Sequence, residues 1–249
     1  MDTPAPVHSL SPPAQRLVCA LWLLLPVAVI STYLVQISAN GPYRTDISMF
    51  LTGARILTGG QGANLYDVAL ETEVQTSIDP LAISTYGLLP FNYPPYVAMF
   101  FAPFAQLGAP QLYYLWLAAQ CGVLVGLSVW IALYFREQHG FLPRPVVATM
   151  FSFAPVYYAL ERGQLSLLML GLWWWAFVSY RHEKWGQLGV AVALAAFKPQ
   201  MAVLLLAGLV AQKRWQALGY AAAVQVALWG ASILLIGPGI VQSYLGMLQ

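Results

Sequence analysis

The stretch LGVAVALAAFKPQMAVLLLAGLVA, residues 188–211, carries a single charge, Lys198, in an otherwise almost wholly apolar run. Pro199 follows it directly, which disfavours helical geometry at Lys198 and removes one backbone donor. We therefore expect two short helices that meet at this point and place the lysine ammonium below a membrane surface. Broken helices of this kind mark ligand sites in membrane proteins, where an anion such as a phosphate would suit the lysine. A lysine that snorkels from a simple turn fits the same residues.

The rest of the chain repeats this pattern of long apolar runs and short charged loops. Apolar residues make up 59% and charged residues 8% of its 249 residues, which is typical of a multi-pass helical membrane protein. We expect an all-α, polytopic membrane fold with about 7–8 transmembrane or half-membrane helices, since several runs are shorter than a full span. A net charge of +2 without a basic stripe argues against a nucleic-acid partner. Cys19 and Cys121 lie far apart within apolar runs and are predicted to be core residues.

The first apolar run, residues 17–37, follows Arg16 and is long enough to cross a bilayer. Its end does not fit a signal-peptide cleavage site, so we expect an uncleaved span. Residues 1–16 would then form a cytoplasmic tail, and residues 17–249 would form one integral membrane domain. Residues 38–95 would be its first extracytoplasmic loop.

The positive-inside rule favours a path in which residues 96–135 make one net crossing of the membrane. Most arginines and lysines then lie on the cytoplasmic side, and the long acidic loop lies outside. The same path brings several polar residues at the ends of apolar runs to the outer face, namely Asp46, Tyr93, Arg162, Gln164 and Lys198.

Within the first loop, apolar residues recur at helical spacing and predict a short amphipathic helix lying along the membrane surface. These residues are Ile47, Phe50, Leu51, Ala54 and Leu57. Asp46 stands at the start of this helix and Arg55 lies on another face. Asp46 has two interpretations: a carboxylate that the helix dipole favours, or a general base that activates an acceptor hydroxyl at the membrane surface.

Two further short segments carry candidate binding residues. The connection Glu161-Arg162-Gly163-Gln164 separates two apolar runs, and its acid and base could simply neutralise each other. Gln164 is predicted to open the next helix, where its amide and free backbone donors could bind an anion or a sugar hydroxyl. In Tyr93-Pro94-Pro95, proline suits the first turn of a helix, and the tyrosine could also stack on a sugar.

Taken in order, these segments resemble the polyprenol-phosphate-mannose-dependent enzymes of glycosyltransferase family 87, which have the GT-C membrane fold. The resemblance rests on four stretches between about residues 40 and 205, in which each motif is short and the order and spacing add specificity. They are Asp46-Ile47-Ser48 through Gly53-Ala54-Arg55 to Leu65-Tyr66-Asp67, Phe91-Asn92-Tyr93-Pro94-Pro95, Gly163-Gln164-Leu165-Ser166, and Gly189 through Phe197-Lys198-Pro199.

The resemblance implies a hexosyltransferase of the bacterial plasma membrane whose active site faces away from the cytoplasm. It would move a hexose, mannose in this family, from a polyprenyl-phosphate lipid to a glycan or glycolipid acceptor. Asp46 matches the acidic residue of the first outer loop and would act as the catalytic base of an inverting single displacement. Lys198, with Arg55 or Arg162, would bind the donor phosphate, and Gln164 and Tyr93 would contact substrate. We expect no cofactor, and no metal site, because the acids lack the spacing of one.

The chain is short for this family, so the resemblance predicts a truncated or minimal member. Two other functions fit the residues. A multi-pass transporter would use Asp46 and Lys198 at broken helices, although no internal inverted repeat is evident. A noncatalytic or truncated membrane subunit would use the same charges only to cap helices.

Overall fold

The computed structural model describes residues 24, 26–33, 35, 45–140 and 143–248. These residues form helices and connecting turns, with no β-strand among them. The helices are α1 (residues 26–33), α2 (Asp46–Thr58), α3 (Val68–Ile78), α4 (Pro80–Tyr86), α5 (Pro95–Phe101), α6 (Ala109–His139), α7 (Pro143–Ser152), α8 (Ala154–Glu161), α9 (Ser166–Arg181), α10 (Trp185–Ala195), α11 (Pro199–Ala211), α12 (Trp215–Ile236) and α13 (Gly239–Met247). The predicted all-α class is therefore confirmed. Arg16, Cys19 and most of the predicted first span lie outside the described residues.

Two helices in the described part of the chain are long and apolar enough to cross a membrane, α12 and the stretch Ala109–Gln138 of α6. Helix α12 exposes large apolar side chains, with Val226 72% and Leu234 87% accessible. Apolar surface of this kind suits contact with lipid better than contact with water. The structure is consistent with a helical membrane protein, and the number of crossings stays a prediction.

The described residues divide into two compact units, and the smaller one contains the described residues before 42 together with Leu124–Tyr158. In it the Tyr33 hydroxyl donates to the Ala154 carbonyl at 3.1 Å, and the Tyr33 ring stacks on Tyr157 at 4.8 Å. Residues 146–160 form a mostly apolar stretch that is interrupted at Phe153, between α7 and α8. Pro155 explains the interruption, because proline is accepted in the first turn of a helix but not in its interior.

The larger unit, residues 45–123 and 159–248 of the described chain, is built around α2. Ile47, Phe50 and Leu51 are completely buried, and the Phe50 ring stacks on Phe101 of α5 at 4.5 Å. The predicted helix is confirmed, and its place along the membrane surface stays a prediction. Neighbouring segments of the chain cover α2 on nearly every side, which a pattern of apolar residues within the helix does not reveal.

In the same unit, α10 packs closely against α9 and α12. A Cβ at Gly189 of α10 would collide with the Ala217 carbonyl oxygen and lie 3.0 Å from the Ala221 backbone nitrogen of α12. Small residues of this kind let helix backbones approach closely in membrane proteins. The Gln225 side chain adds a hydrogen bond to the Ala193 carbonyl at 2.6 Å.

Cys121 was predicted to be a core residue and is instead an exposed free thiol on α6. The prediction is wrong because an apolar run marks burial in either protein or lipid. A small apolar side chain can therefore lie on the outward face of a candidate membrane span.

Candidate active site

Asp46 occupies the first position of α2, directly after its buried N-cap residue Thr45. Its backbone N–H donates to the Arg162 carbonyl at 2.8 Å, which satisfies one of the donors that a helix start leaves free. Gly163 follows with φ +66°, and a Cβ there would lie 2.8 Å from the Ile47 side chain. The start of α2 is therefore fixed against the turn between α8 and α9, more than a hundred residues away in sequence.

The Asp46 carboxyl is half-buried and lies near two cations. Burial raises its pKa, while the charges of Lys198 and then Arg162 act in the opposite direction. The sequence proposed all three residues separately, and the structure brings them together. A carboxylate that is partly withdrawn from water can accept a proton, and the two cations beside Asp46 could at the same time bind an anionic ligand.

Lys198 stands in the predicted break between α10, which ends at Ala195, and α11, which begins at Pro199. Its backbone, with φ −115° and ψ 89°, is not helical, as the following proline requires. The prediction of two short helices that meet here is confirmed. The Lys198 ammonium lies 5.9 Å from the centre of the Tyr93 ring.

Tyr93 forms an aromatic wall next to these charges. Its ring is buried and lies 5.3 Å from Phe50 and 6.2 Å from Phe197, measured between ring centres. Burial raises the pKa of its hydroxyl, and the nearby Asp46 carboxylate raises it further. Helix α5 begins at Pro95, as predicted. Tyr93 is therefore a neutral, buried side chain near both Asp46 and the Lys198 junction.

Gln164 lies near the same turn but two residues before α9, so it does not open that helix as predicted. Its backbone N–H donates to the Ala159 carbonyl at 2.9 Å, and its side-chain oxygen accepts from the Ser166 hydroxyl at 3.1 Å. This arrangement places the Gln164 side chain at the start of α9, two positions from Arg162.

Arg55 is not brought to this cluster. It lies nine positions after Asp46, or about 13 Å along the helix axis at 1.5 Å per residue. Its guanidinium donates to the Ala105 carbonyl at 3.1 Å and the Leu107 carbonyl at 3.2 Å. In this structure Arg55 holds the turn that follows α5.

Glu71 and Gln75 of α3 were not singled out from the sequence, yet both side chains are buried. Glu71 accepts a hydrogen bond from the Phe91 backbone N–H at 2.9 Å. Burial raises the pKa of its carboxyl to about 7, with the Phe91 N–H lowering it and the Asp67 charge raising it. The available signal was their four-residue spacing, which puts both polar side chains on one face of a helix.

No group of three or more His, Cys, Asp or Glu side chains suited to a metal ion occurs among the described residues. The independence from a divalent metal stays a prediction.

Comparisons with a protein-family model and with known proteins point to the same family. The model of glycosyltransferase family 87 matches residues 91–249, which include Tyr93, Arg162, Gln164 and Lys198 but not Asp46 or Arg55. No solved structure matches the chain.

Two curated relatives are mannosyltransferases. A polyprenol-phosphate-mannose-dependent alpha-(1-2)-phosphatidylinositol pentamannoside mannosyltransferase of Mycolicibacterium smegmatis is 30% identical over 261 residues, covering 95% of this chain and 54% of that protein. A polyprenol-phosphate-mannose-dependent alpha-(1-2)-phosphatidylinositol mannoside mannosyltransferase of Mycobacterium tuberculosis is 33% identical over 121 residues, covering 45% of this chain and 25% of that protein. The chain thus spans about half the length of the first relative and a quarter of the second. The family match covers well over half of the chain, which therefore belongs to glycosyltransferase family 87.

Proposed function

We propose that this chain transfers a hexose, mannose in the first instance, from a polyprenyl-phosphate donor to a hydroxyl of a glycolipid or glycan acceptor. The family match and the activities named for the two relatives support a mannosyl transfer. The location that suits this donor is a bacterial plasma membrane, with a multi-pass chain and the active site on the extracytoplasmic side.

The observation that carries the proposal is the position of Asp46 beside Lys198 and Arg162. The Asp46 carboxylate accepts the proton of the acceptor hydroxyl, and the hydroxyl oxygen attacks the anomeric carbon of the donor sugar. The bond between that carbon and the phosphate oxygen breaks, and its electron pair stays on the departing phosphate. One displacement of this kind inverts the anomeric centre. Burial raises the pKa of Asp46 and so makes it a stronger base.

The two cations have the complementary role. Lys198 and Arg162 stabilise the negative charge that develops on the leaving phosphate, where preformed charges are most effective in catalysis. Arg55 would join them only if its guanidinium left the Ala105 and Leu107 carbonyls, so we assign the phosphate to the other two.

Substrate contacts are assigned to the neighbouring polar and aromatic groups. We assign Tyr93 to the wall of the hexose site, because its ring lies next to the lysine that would hold the phosphate. Gln164 offers side-chain amide hydrogens to a sugar hydroxyl at the start of α9. No cofactor or metal is needed for these steps, because a sugar phosphate already has a good leaving group.

The test is the transfer of labelled mannose from polyprenyl-phosphate-mannose in membrane vesicles that contain this chain and a mycobacterial phosphatidylinositol mannoside acceptor. We expect Asp46→Asn to reduce the transfer at least 100-fold at equal amounts of folded protein, a loss in the range reported for general-base catalysis.

The matched control is Asp67→Asn. Asp67 also stands at a helix start, where its carboxylate accepts from the Leu70 N–H at 2.8 Å, and asparagine caps helices equally well. Transfer that survives in Asp46→Asn as it does in Asp67→Asn would show that Asp46 only stabilises the helix. No transfer by the wild-type chain with this acceptor would instead favour a noncatalytic subunit or a transporter.

A further inference from the structure

The segment between α4 and α5, residues 87–94, has no regular secondary structure, so its backbone groups need other partners. Helix α3 supplies them. The Gln75 side chain accepts from the Leu89 N–H and donates to the Leu89 carbonyl, both at 2.9 Å. Glu71, one turn earlier on α3, accepts from the Phe91 N–H at 2.9 Å. Two buried side chains thus hold alternate residues of one extended segment.

The opposite side of the segment is held by packing. The Phe91 ring lies against Gly53 of α2, where an added Cβ would stand 2.9 Å from a ring carbon. The Tyr66 hydroxyl also donates to the Tyr93 carbonyl at 2.8 Å. These contacts and the hydrogen bonds from α3 hold the segment on both sides.

Two residues after Phe91, the side chain of Tyr93 reaches the candidate active site, against Phe197 and near the Lys198 ammonium. We propose that Glu71, supported by Gln75, is a positioning residue of the active site, because it holds the backbone at Phe91 and thereby the Tyr93 ring beside Lys198. The proposal rests on the proposed function for its effect on catalysis. A displacement of about 1 Å at a substrate-positioning group can lower a rate by up to about 100-fold.

The charge state of Glu71 gives a signature that is independent of catalysis. The titratable groups that face it are Asp67 and Tyr66. The pKa of Glu71 is about 7 in the folded protein, against 4.5 for an ordinary glutamate. The folded state therefore binds the proton of the Glu71 carboxyl more tightly than the unfolded state does. The contribution of protonated Glu71 to the free energy of unfolding is complete below pH 4.5 and is lost as the pH rises towards about 7.

The catalytic test compares Glu71→Ala and Glu71→Gln in the vesicle assay. Alanine removes the acceptor of the Phe91 N–H, whereas the glutamine side-chain oxygen retains it. We expect Glu71→Ala to raise the donor KM about tenfold, and Glu71→Gln to stay within about twofold of wild type. Glu73→Ala is the matched control, since Glu73 is an exposed acid on the same helix. Equal donor KM values in Glu71→Ala and Glu73→Ala would overturn the proposal.

Two measurements on folded protein in detergent need no activity. Hydrogen exchange of residues 88–94 should be faster in Glu71→Ala than in wild type or Glu73→Ala, and unchanged exchange would overturn the proposal.

Between pH 4.5 and 7 the thermal midpoint of wild type should fall relative to that of Glu71→Gln, which folds with the same hydrogen bond. Parallel pH profiles would count against a buried, titrating Glu71. A wild type that transfers no mannose would contradict the proposed function, while these two results would still decide how the segment is held.

Discussion

The larger unit contains two regions that are held together by different interactions. In residues 45–107, buried or part-buried polar side chains bind backbone groups, as Gln75 does at Leu89 and Arg55 does at Ala105. In residues 185–236, helices touch through small residues, as Gly189 of α10 does against Ala217 of α12. The difference follows from the backbone. Irregular segments must find hydrogen-bond partners in side chains, whereas helices satisfy their own backbone and need only matching shape.

The candidate active site lies where these two regions meet. Asp46 and Tyr93 come from the first region, and Lys198 comes from the second. The first region thus supplies the proposed base and an aromatic wall on irregular or terminal backbone, which fixed partners must hold. The second supplies a cation at a break between helices. Substitutions in the two regions should therefore lower stability or activity for different physical reasons.

The largest expected effect is from Gly189→Ala in the helical region. The added Cβ would collide with the Ala217 carbonyl oxygen, and a backbone atom cannot move away without separating α10 from α12. Overpacking of this kind costs about 3 kcal/mol, which corresponds to a thermal midpoint about 6–12 °C lower in a chain of this size. Thermal unfolding in detergent measures it.

The control for this change is Gly219→Ala on α12, where nothing lies within 4 Å of the added atom. It should leave the midpoint unchanged or raise it slightly, because alanine favours a helix over glycine by about 1 kcal/mol. Equal midpoints for the two variants would mean that α10 and α12 are not in close contact.

A smaller effect is expected from Gly163→Ala, at the contact between the α8–α9 turn and α2. Alanine would be strained at φ +66°, and its Cβ would press on the Ile47 side chain. Gly60 has φ +77° and open space around it, so Gly60→Ala introduces only the backbone strain of about 1–2 kcal/mol and no contact with a neighbour.

We expect Gly163→Ala to be the less stable of these two variants by about 1 kcal/mol, or a midpoint about 2–4 °C lower, because only its Cβ meets a neighbouring side chain. This cost is smaller than at Gly189, because a side chain yields more easily than the backbone oxygen of Ala217. Mannose transfer should also fall in Gly163→Ala and not in Gly60→Ala. Equal stability and equal transfer would show that Gly163 does not hold the turn against Asp46.

The smallest effect is expected from Arg214→Gln. The guanidinium of Arg214, in the turn between α11 and α12, lies 4.2 Å from the centre of the Trp185 ring at the start of α10. A cation–π contact of this kind contributes about 0.5–1 kcal/mol, so the thermal midpoint should fall by about 1–4 °C. Lys213→Gln removes the neighbouring, exposed charge and should change nothing. A similar fall of the thermal midpoint in both variants would show that the loss of a positive charge, and not the contact with Trp185, causes the effect.

Local features of the chain were predictable where covalent geometry decides them. Pro95 starts α5 and Pro199 starts α11, because proline fixes φ and lacks a donor wherever it stands. The surroundings of α2 were not predictable, since the same apolar pattern serves a helix on a membrane surface and one enclosed by protein. The four-residue spacing of Glu71 and Gln75 places both side chains on one face of α3, but it does not tell whether that face points inward or outward.

The sequence by itself determined that this protein is helical and apolar, that its helices break at Lys198, and that Asp46 starts one of them. These properties depend on residue type and on neighbours a few positions apart. Only the tertiary structure decided that Asp46 meets Arg162 and Lys198, and that Glu71 reaches the backbone before Tyr93. Contacts between such distant residues arise from how helices pack, which hydrophobic periodicity does not encode.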